Sequence, residues 1–462
     1  MPPRLKQKTR LLAPRSGPAL VSRRQFLQAT GAISLLALTK PRSSAQPAAG
    51  GFLSEFFPFD REIQKFMAAR NVPGGALAVV KDRRLVYTRG YGMADRGNKT
   101  AVRPDSLFRI ASISKPFTAV AVLKLVEDGK LNLDARVWDV LGLESWIPDG
   151  RKADVRWKQI AIRHLLHHTG GWDRDQSFDP MFRPREIAKT LGIGSPPGPR
   201  DVIRYMLGQA LDFDPGTRYA YSNFGYCILG RVIEKVTGLA YGEFVQKNVL
   251  SPIGIKRMRL GASLAHKRAD GEVRYYTPGN ETTESVFGES LSPPPSPNGR
   301  ESKGEGDRVP WPYGGFCLEA MDAHGGWIAS AVDLARFAAA FHDSEHCPLL
   351  KPETIRSMDA PPEPPVSRND DGSLKDHYYG CGWLVRPVGK DGKANYWHTG
   401  SLPGTFTLLV RRHDGVSWAV LFNQRSDDGK LPDGEIDPAL HRAADAVHQW
   451  PKFDLFPNHR QA

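Results

Sequence analysis

Apolar and polar positions change their period twice along the 462 residues. In 60–70, Ile63, Phe66 and Met67 share one stripe and Pro73 follows, which predicts an amphipathic helix. The apolar runs 75–80 and 85–88 flank a polar turn at 81–84, a hairpin signal. Between 114 and 126 the apolar residues surround the helix, so it is predicted to be buried, with Gly129 as its left-handed closing residue. The stretch leading into it, Phe108-Arg109-Ile110-Ala111-Ser112-Ile113-Ser114-Lys115-Pro116, reads as a strand or loop ending at Ser112.

From 131 to about 313 the pattern turns to helical pieces and loops. Helices are predicted near 154–166, 201–209 and 224–236, the last closed by Gly238. Residues 278–310, which include the run SPPPSPN at 292–298, read as a long irregular loop. Beyond Gly325 the period shortens again. A helix over 330–342 precedes strands at 381–388, 393–399, 405–411 and 418–423, with turns at Lys390-Asp391-Gly392 and His413-Asp414-Gly415. A last helix is predicted from Asp437 as N-cap, with Pro438 first, to about Trp450.

Strands at both ends with helices between them predict an α+β fold. One antiparallel sheet would draw on residues of about 53–130 and 320–455, flanked by helices. A mainly helical insertion would span about 131–319. A cleft should lie at the junction, beside Ser112.

An apolar share of 40% and a charged share of 24% describe an ordinary globular chain. The net charge of +13 invites a nucleic-acid partner, but residues 1–45 hold nine Lys or Arg and no acid. The remainder carries 54 basic against 50 acidic residues, a net of +4, so no nucleic acid is implied. Ser22-Arg23-Arg24-Gln25-Phe26-Leu27 precedes a short apolar stretch and the small residues Ser43-Ser44-Ala45. This order resembles a twin-arginine signal peptide. It leads us to expect a leader over 1–45, one domain over 46–462 and a periplasmic or secreted product. No transmembrane segment is expected in the mature chain, and nothing in the sequence specifies an oligomeric state. Cys227, Cys317, Cys347 and Cys381 lack C-x-x-C spacing, so a disulfide is allowed without being predicted.

Ser112 and Lys115, three apart, share one face of a first turn. A serine at a helix start has N–H groups and a positive dipole end beside it, and a buried lysine can serve as a base. Alone, the pair can also be read as a cap and a solvated cation. Tyr221-Ser222-Asn223 leads into a predicted helix, where Asn223 would act as cap, site residue or both. His398-Thr399-Gly400-Ser401 ends a predicted strand. His164, His167 and His168 stand at i, i+3 and i+4, a spacing open to metal. Trp172 and Tyr313 are candidates for lining or for packing.

S-x-x-K, Y-x-N and H-T-G in this order resemble the serine β-lactamase and penicillin-binding protein superfamily. The branch of class C β-lactamases, DD-carboxypeptidases and related esterases is the nearest in pattern, over residues of about 55–450. Ile162-Arg163-His164-Leu165-Leu166-His167-His168-Thr169-Gly170, Gly325-Gly326-Trp327 and Tyr379-Gly380-Cys381-Gly382-Trp383 support it. The resemblance implies a β-lactamase/transpeptidase-like fold, Ser112 as nucleophile, and Lys115 and Tyr221 sharing the base role. There a lysine cation would lower the phenol's pKa. Asn223 would donate to substrate and accept from Lys115. Backbone N–H groups of Ser112 and Ser401 would hold the oxyanion, with Thr399 and Gly400 offering a strand edge. His398, where many relatives have lysine, would relay a proton or orient a carboxylate, which favours peptidase- or esterase-like chemistry over β-lactam hydrolysis. The histidine trio becomes a structural helix-turn, and no metal or cofactor is implied. The expected partner is a small molecule or peptide with a scissile carbonyl. There is no G-x-S-x-G elbow of the α/β-hydrolase kind. The alternative is a silent penicillin-recognising binding or sensor protein, its cleft remodelled by the 278–310 loop.

Overall fold

Opposite ends of the chain meet in one sheet. The computed structural model describes residues 53–288, 308–363, 365–389, 391–426 and 431–459. The expected leader over 1–45, the SPPPSPN run and most of its loop, and Lys390 lie outside these residues. The chain divides into Met1–Ala49 and Gly50–Ala462, and the described residues belong to the second unit.

In chain order the strands are β1 (Gly74–Lys81), β2 (Arg84–Asp95), β3 (Thr100–Ala101), β4 (Phe108–Arg109), β5 (Arg259–Leu260), β6 (Thr282–Glu284), β7 (Arg308–Pro310), β8 (Trp327–Ala329), β9 (Tyr378–Tyr379), β10 (Leu384–Val388), β11 (Lys393–Leu402), β12 (Thr405–Arg411) and β13 (Val416–Phe422). An eight-stranded antiparallel sheet runs β3-β2-β1-β13-β12-β11-β10-β9. Gly75 pairs with Phe422 and Lys81 with Val416. β4, β8 and β5 form a small second sheet, and β6 pairs with β7. The β1–β2 turn is Asp82-Arg83, with φ of 48° and 66°, the left-handed pair that a two-residue hairpin needs.

Both faces of the central strands are covered, which is why β1 reads as a continuous apolar run. On one face Leu77, Val79, Trp418 and Val420 pack with Phe59, Ile63 and Phe66 of the Phe57–Arg70 helix and Leu440 of the Ile436–Asp445 helix. On the other, Ala76, Ala78, Leu409 and Ala419 join a larger core with the Ser114–Glu127 and Ala331–Ala339 helices. Ser114–Glu127 is buried along most of its length, and Gly129 follows it with φ 66°, as expected. The Asn223–Thr237 helix packs against it and ends at Gly238 in the left-handed conformation. Among the described residues no helix is long and apolar enough to cross a membrane.

Several expected boundaries are corrected. Residues 154–166 are not one helix. A 3-10 turn, Val155–Gln159, is capped by Asp154, and a short helix, Ile162–Leu166, follows an extended break. The Ile160 carbonyl accepts from Val137 and the Ile162 N–H donates to Ala135, so those backbone groups serve a neighbouring segment. The last helix begins at Ile436 and ends at Asp445, not near Trp450. Asp437 lies inside it, 3.5 Å from His441, rather than capping it. A 3-10 turn at Asp433–Glu435 starts the helix early, because the Asp433 carboxylate holds the Ser426 N–H and pairs with Arg70.

Candidate active site

From β4 the chain passes into a 3-10 turn, Ala111–Ile113, and then into the Ser114–Glu127 helix. Ser112 is therefore one turn upstream of the α-helix proper. Ala111 holds φ 46°, a strained conformation for a residue with a Cβ. The turn is pinned from two sides. Arg109 is wholly buried and donates to the carbonyls of Pro312 (2.6 Å) and Ala262 (2.7 Å). Opposite, the Ile110 carbonyl accepts from the Thr407 hydroxyl at 3.1 Å. A Cβ on Gly400 would stand 2.1 Å from that same carbonyl oxygen. Gly400 thus serves the approach of β11 to the serine turn.

Lys115 has no exposed surface. Its Nζ lies 3.1 Å from Ser112 Oγ, 2.8 Å from Asn223 Oδ1 and 3.1 Å from the His324 carbonyl oxygen. Burial holds its pKa well below the ordinary lysine value, Asp179 opposing and Arg174 assisting. As a neutral amine it can give its two N–H groups to Asn223 and His324 and turn its lone pair to the serine hydroxyl.

Tyr221 lies beside the pair, its ring centroid 4.7 Å from Lys115 Nζ. Burial raises the phenol's pKa, with the Ser112 hydroxyl opposing. The expected cation that lowers the phenol is corrected here, since burial drives both groups toward neutrality. Tyr221 hangs from His168 on both sides. The Ala220 N–H donates to the His168 carbonyl (2.9 Å) and the Ser222 N–H to its Nδ1 (3.2 Å). His164 Nδ1 instead accepts from the Ala161 N–H, and His167 Nδ1–H donates to the Tyr379 carbonyl. The three rings hold three separate pieces of backbone.

Asn223 opens the Asn223–Thr237 helix, but its cap is Ser222, whose Oγ accepts from the Gly225 N–H at 3.2 Å. That leaves the Asn223 side chain to bridge Lys115 and Asp179. Its Nδ2 donates to Asp179 Oδ2 at 2.6 Å.

His398 is buried. Its Nδ1–H donates to the Thr399 carbonyl (2.7 Å) and its Nε2 accepts from the Tyr379 hydroxyl (2.9 Å). Burial pushes its pKa down to about 3, so the ring is neutral. A neutral ring with both nitrogens taken gives no charge to a carboxylate. Thr399 is half-buried beside it. Ser401 is exposed on β11 past Trp397, where pairing with β10 stops. Its Oγ accepts from Arg425 at 3.3 Å.

Ser112, Asn223, the His324–Gly325 segment and Ser401 open onto one pocket of about 480 Å³. Phe182, Trp311 and Leu402 make its apolar walls, with the Arg174 and Arg425 guanidinium groups also lining it. Trp172 and Tyr313 pack: Trp172 against Trp157 and Phe224, and Tyr313 by accepting the Tyr275 N–H. Sequence reasoning missed Asp179, the His324 carbonyl and both arginines, and read Tyr379 only as part of a supporting stretch. Asp179-Pro180 was legible only as the start of a turn, which it caps.

A family model described as Beta-lactamase matches residues 59–441. Penicillin-binding protein 4* of Bacillus subtilis (strain 168) is 24% identical over 385 residues, covering 82% of this chain and 73% of that protein. Esterase EstB of Burkholderia gladioli is 32% identical over 204 residues, 43% of this chain and 49% of the esterase. Among solved structures, the octameric penicillin-binding protein homologue from Pyrococcus abyssi superimposes with a TM-score of 0.60 at 25% identity, covering 87% and 79% of the two chains.

Proposed function

This chain belongs to the Beta-lactamase family, and on that premise we propose that it is an exported serine hydrolase that cleaves an amide, peptide or ester bond through an acyl-enzyme. The observation that carries the reading is the unbroken hydrogen-bond path from Ser112 to Lys115 and Asn223, with the Tyr221 ring against the amine, at the wall of one pocket. Ser112 Oγ attacks the carbonyl carbon and its proton passes to Lys115 Nζ, directly or through Tyr221. The oxyanion rests on the backbone N–H groups of Ser112 and Ser401, and the leaving group departs with the proton. Water then attacks the acyl-serine and the same groups return the proton. Asn223 holds Lys115 in line, and His398, neutral and tethered, acts as a strut behind Tyr221.

A penicillin-binding relative and an esterase relative both support acyl transfer. The neutral His398 in place of lysine favours peptidase- or esterase-like turnover over β-lactam hydrolysis. The Arg23-Arg24 leader supports export by the twin-arginine route, to the periplasm or beyond the cell.

Intact-protein mass after addition of a penicillin, with hydrolysis of p-nitrophenyl butyrate followed in parallel, tests the reading. We expect ester turnover in the wild type, with or without a penicillin adduct, and neither in Ser112→Ala. An adduct on both proteins, or ester turnover equal in both, overturns it. A penicillin adduct on the wild type with no turnover of any ester supports the silent binding protein instead.

A further inference from the structure

An amide side chain has two ends of nearly equal shape, and only one of the two orientations of Asn223 suits its neighbour. With Oδ1 toward Lys115 it accepts the amine, whereas a flip would set an NH₂ group against the amine's own donors. The 2.6 Å bond from Asn223 Nδ2 to Asp179 Oδ2 selects the first orientation. Asp179 is itself fixed, because its Oδ1 accepts the Met181 N–H at 3.1 Å as cap of the Pro180–Phe182 turn.

We infer that Asp179 is a positioning residue, which through Asn223 fixes the amide that faces Lys115 and places the site's own anion near that amine. The inference rests on the roles of Ser112 and Lys115 proposed above. Burial raises the Asp179 carboxyl's pKa, with the Asn223 bond, the Met181 N–H and Arg174 opposing that rise. Asp179 is the anion that opposes the loss of charge on Lys115, and Arg174 is the cation that promotes it. The other titratable groups around the amine are Tyr221 and Tyr226, held neutral by burial, and the uncharged imidazoles of His168, His324 and His398.

Asp179→Asn separates positioning from folding. Asparagine caps a turn as well as aspartate does, but it carries no charge and leaves the donor–acceptor choice at Asn223 open. Hydrolysis of p-nitrophenyl butyrate is followed from pH 4.5 to 9 in the wild type, Asp179→Asn, Asp179→Ser and Ser112→Ala, each checked by thermal melting. In folded Asp179→Asn the acidic limb of kcat/KM moves to lower pH, because the anion that raises the amine's pKa is gone. At the plateau kcat falls about tenfold or more, a general-base-sized effect, while KM changes much less. Asp179→Ser, another capping residue, carries the same test should the asparagine form melt early. An acidic limb that stays in place in both folded variants overturns the inference, whatever kcat does. Undiminished turnover in Ser112→Ala overturns the underlying reading and the inference with it, whereas an unmoved limb with an inactive Ser112→Ala removes the inference alone.

Discussion

An amine with no exposed surface faces two costs, and burial decides between them at Lys115. A charged ammonium in that place needs three acceptors and an anion, whereas a neutral amine needs two acceptors and a donor. Asn223 Oδ1, the His324 carbonyl and the Ser112 hydroxyl oxygen all lie within hydrogen-bond distance of Nζ, and the neutral form that burial favours donates to two of them and accepts from the serine. Lys115→Met keeps the length and removes the base. We expect ester turnover to fall by about 10²–10⁴-fold. The melting temperature should hold or rise, since a buried amine gives way to an apolar chain. A variant that keeps turnover within a few-fold of the wild type would count against the proposed base. The i, i+3 spacing of Ser112 and Lys115 was legible in the sequence because it is local. The burial that makes the lysine basic was not, because it depends on the Asn223–Thr237 helix and the His324 segment, distant in sequence. Asp179 was hidden for the same reason.

At the scale of elements, what could be read was whatever local chemistry decides. The hairpin at Asp82-Arg83, the closing glycines 129 and 238 and the buried 114–127 helix follow from short-range conformation and pattern. What could not be read was where a backbone group prefers a distant partner. The 154–166 helix breaks because residues 160–162 bond to 135–137, and Asp437 loses its capping role to an upstream turn held by Arg70 and Ser426. Gly400 shows the same contrast between near and far. Gly129 has φ 66° and nothing within 4 Å of a Cβ, so Gly129→Ala should cost about 1 kcal/mol in urea unfolding and leave turnover intact. In Gly400→Ala the new methyl meets the Ile110 carbonyl, so β11 and the serine turn must part. That change should cost about 1–3 kcal/mol and remove most ester turnover even where the protein stays folded. Equal turnover in the two alanine variants would argue against close approach at Gly400.

For the molecule as a whole, stability should follow its buried imidazoles. Burial pushes His164, His167 and His342 down to about 4 and His398 to about 3. Released by unfolding, each takes up a proton near its ordinary value of about 6.5. Their contribution is complete above pH 6.5 and is lost as pH falls toward 4, by up to about 1.4 kcal/mol per pH unit for each ring. Asp433, raised by burial to about 6, and the carboxyls of Asp179, Asp322, Asp359 and Asp437, raised by the same cause, work in the other direction, but the lowered imidazoles outnumber them. Urea midpoints should therefore drop steeply between pH 7 and 5, and a midpoint constant over that range would contradict the neutral, buried assignment of these rings.

The pairing of β1 with β13 also sets a clock on the chain's birth. β1 gains β2 within a few residues, but its other edge waits for Val416–Phe422. Synthesis at about 5–20 residues per second leaves an interval on the order of 20–70 s before that strand is made, since about 340 residues separate the two. Through that time Leu77 and Val79 border a row of unpaired amides, the kind of edge on which other nascent strands assemble. What shelters that edge while the ribosome works bears on how much of the chain reaches its native state.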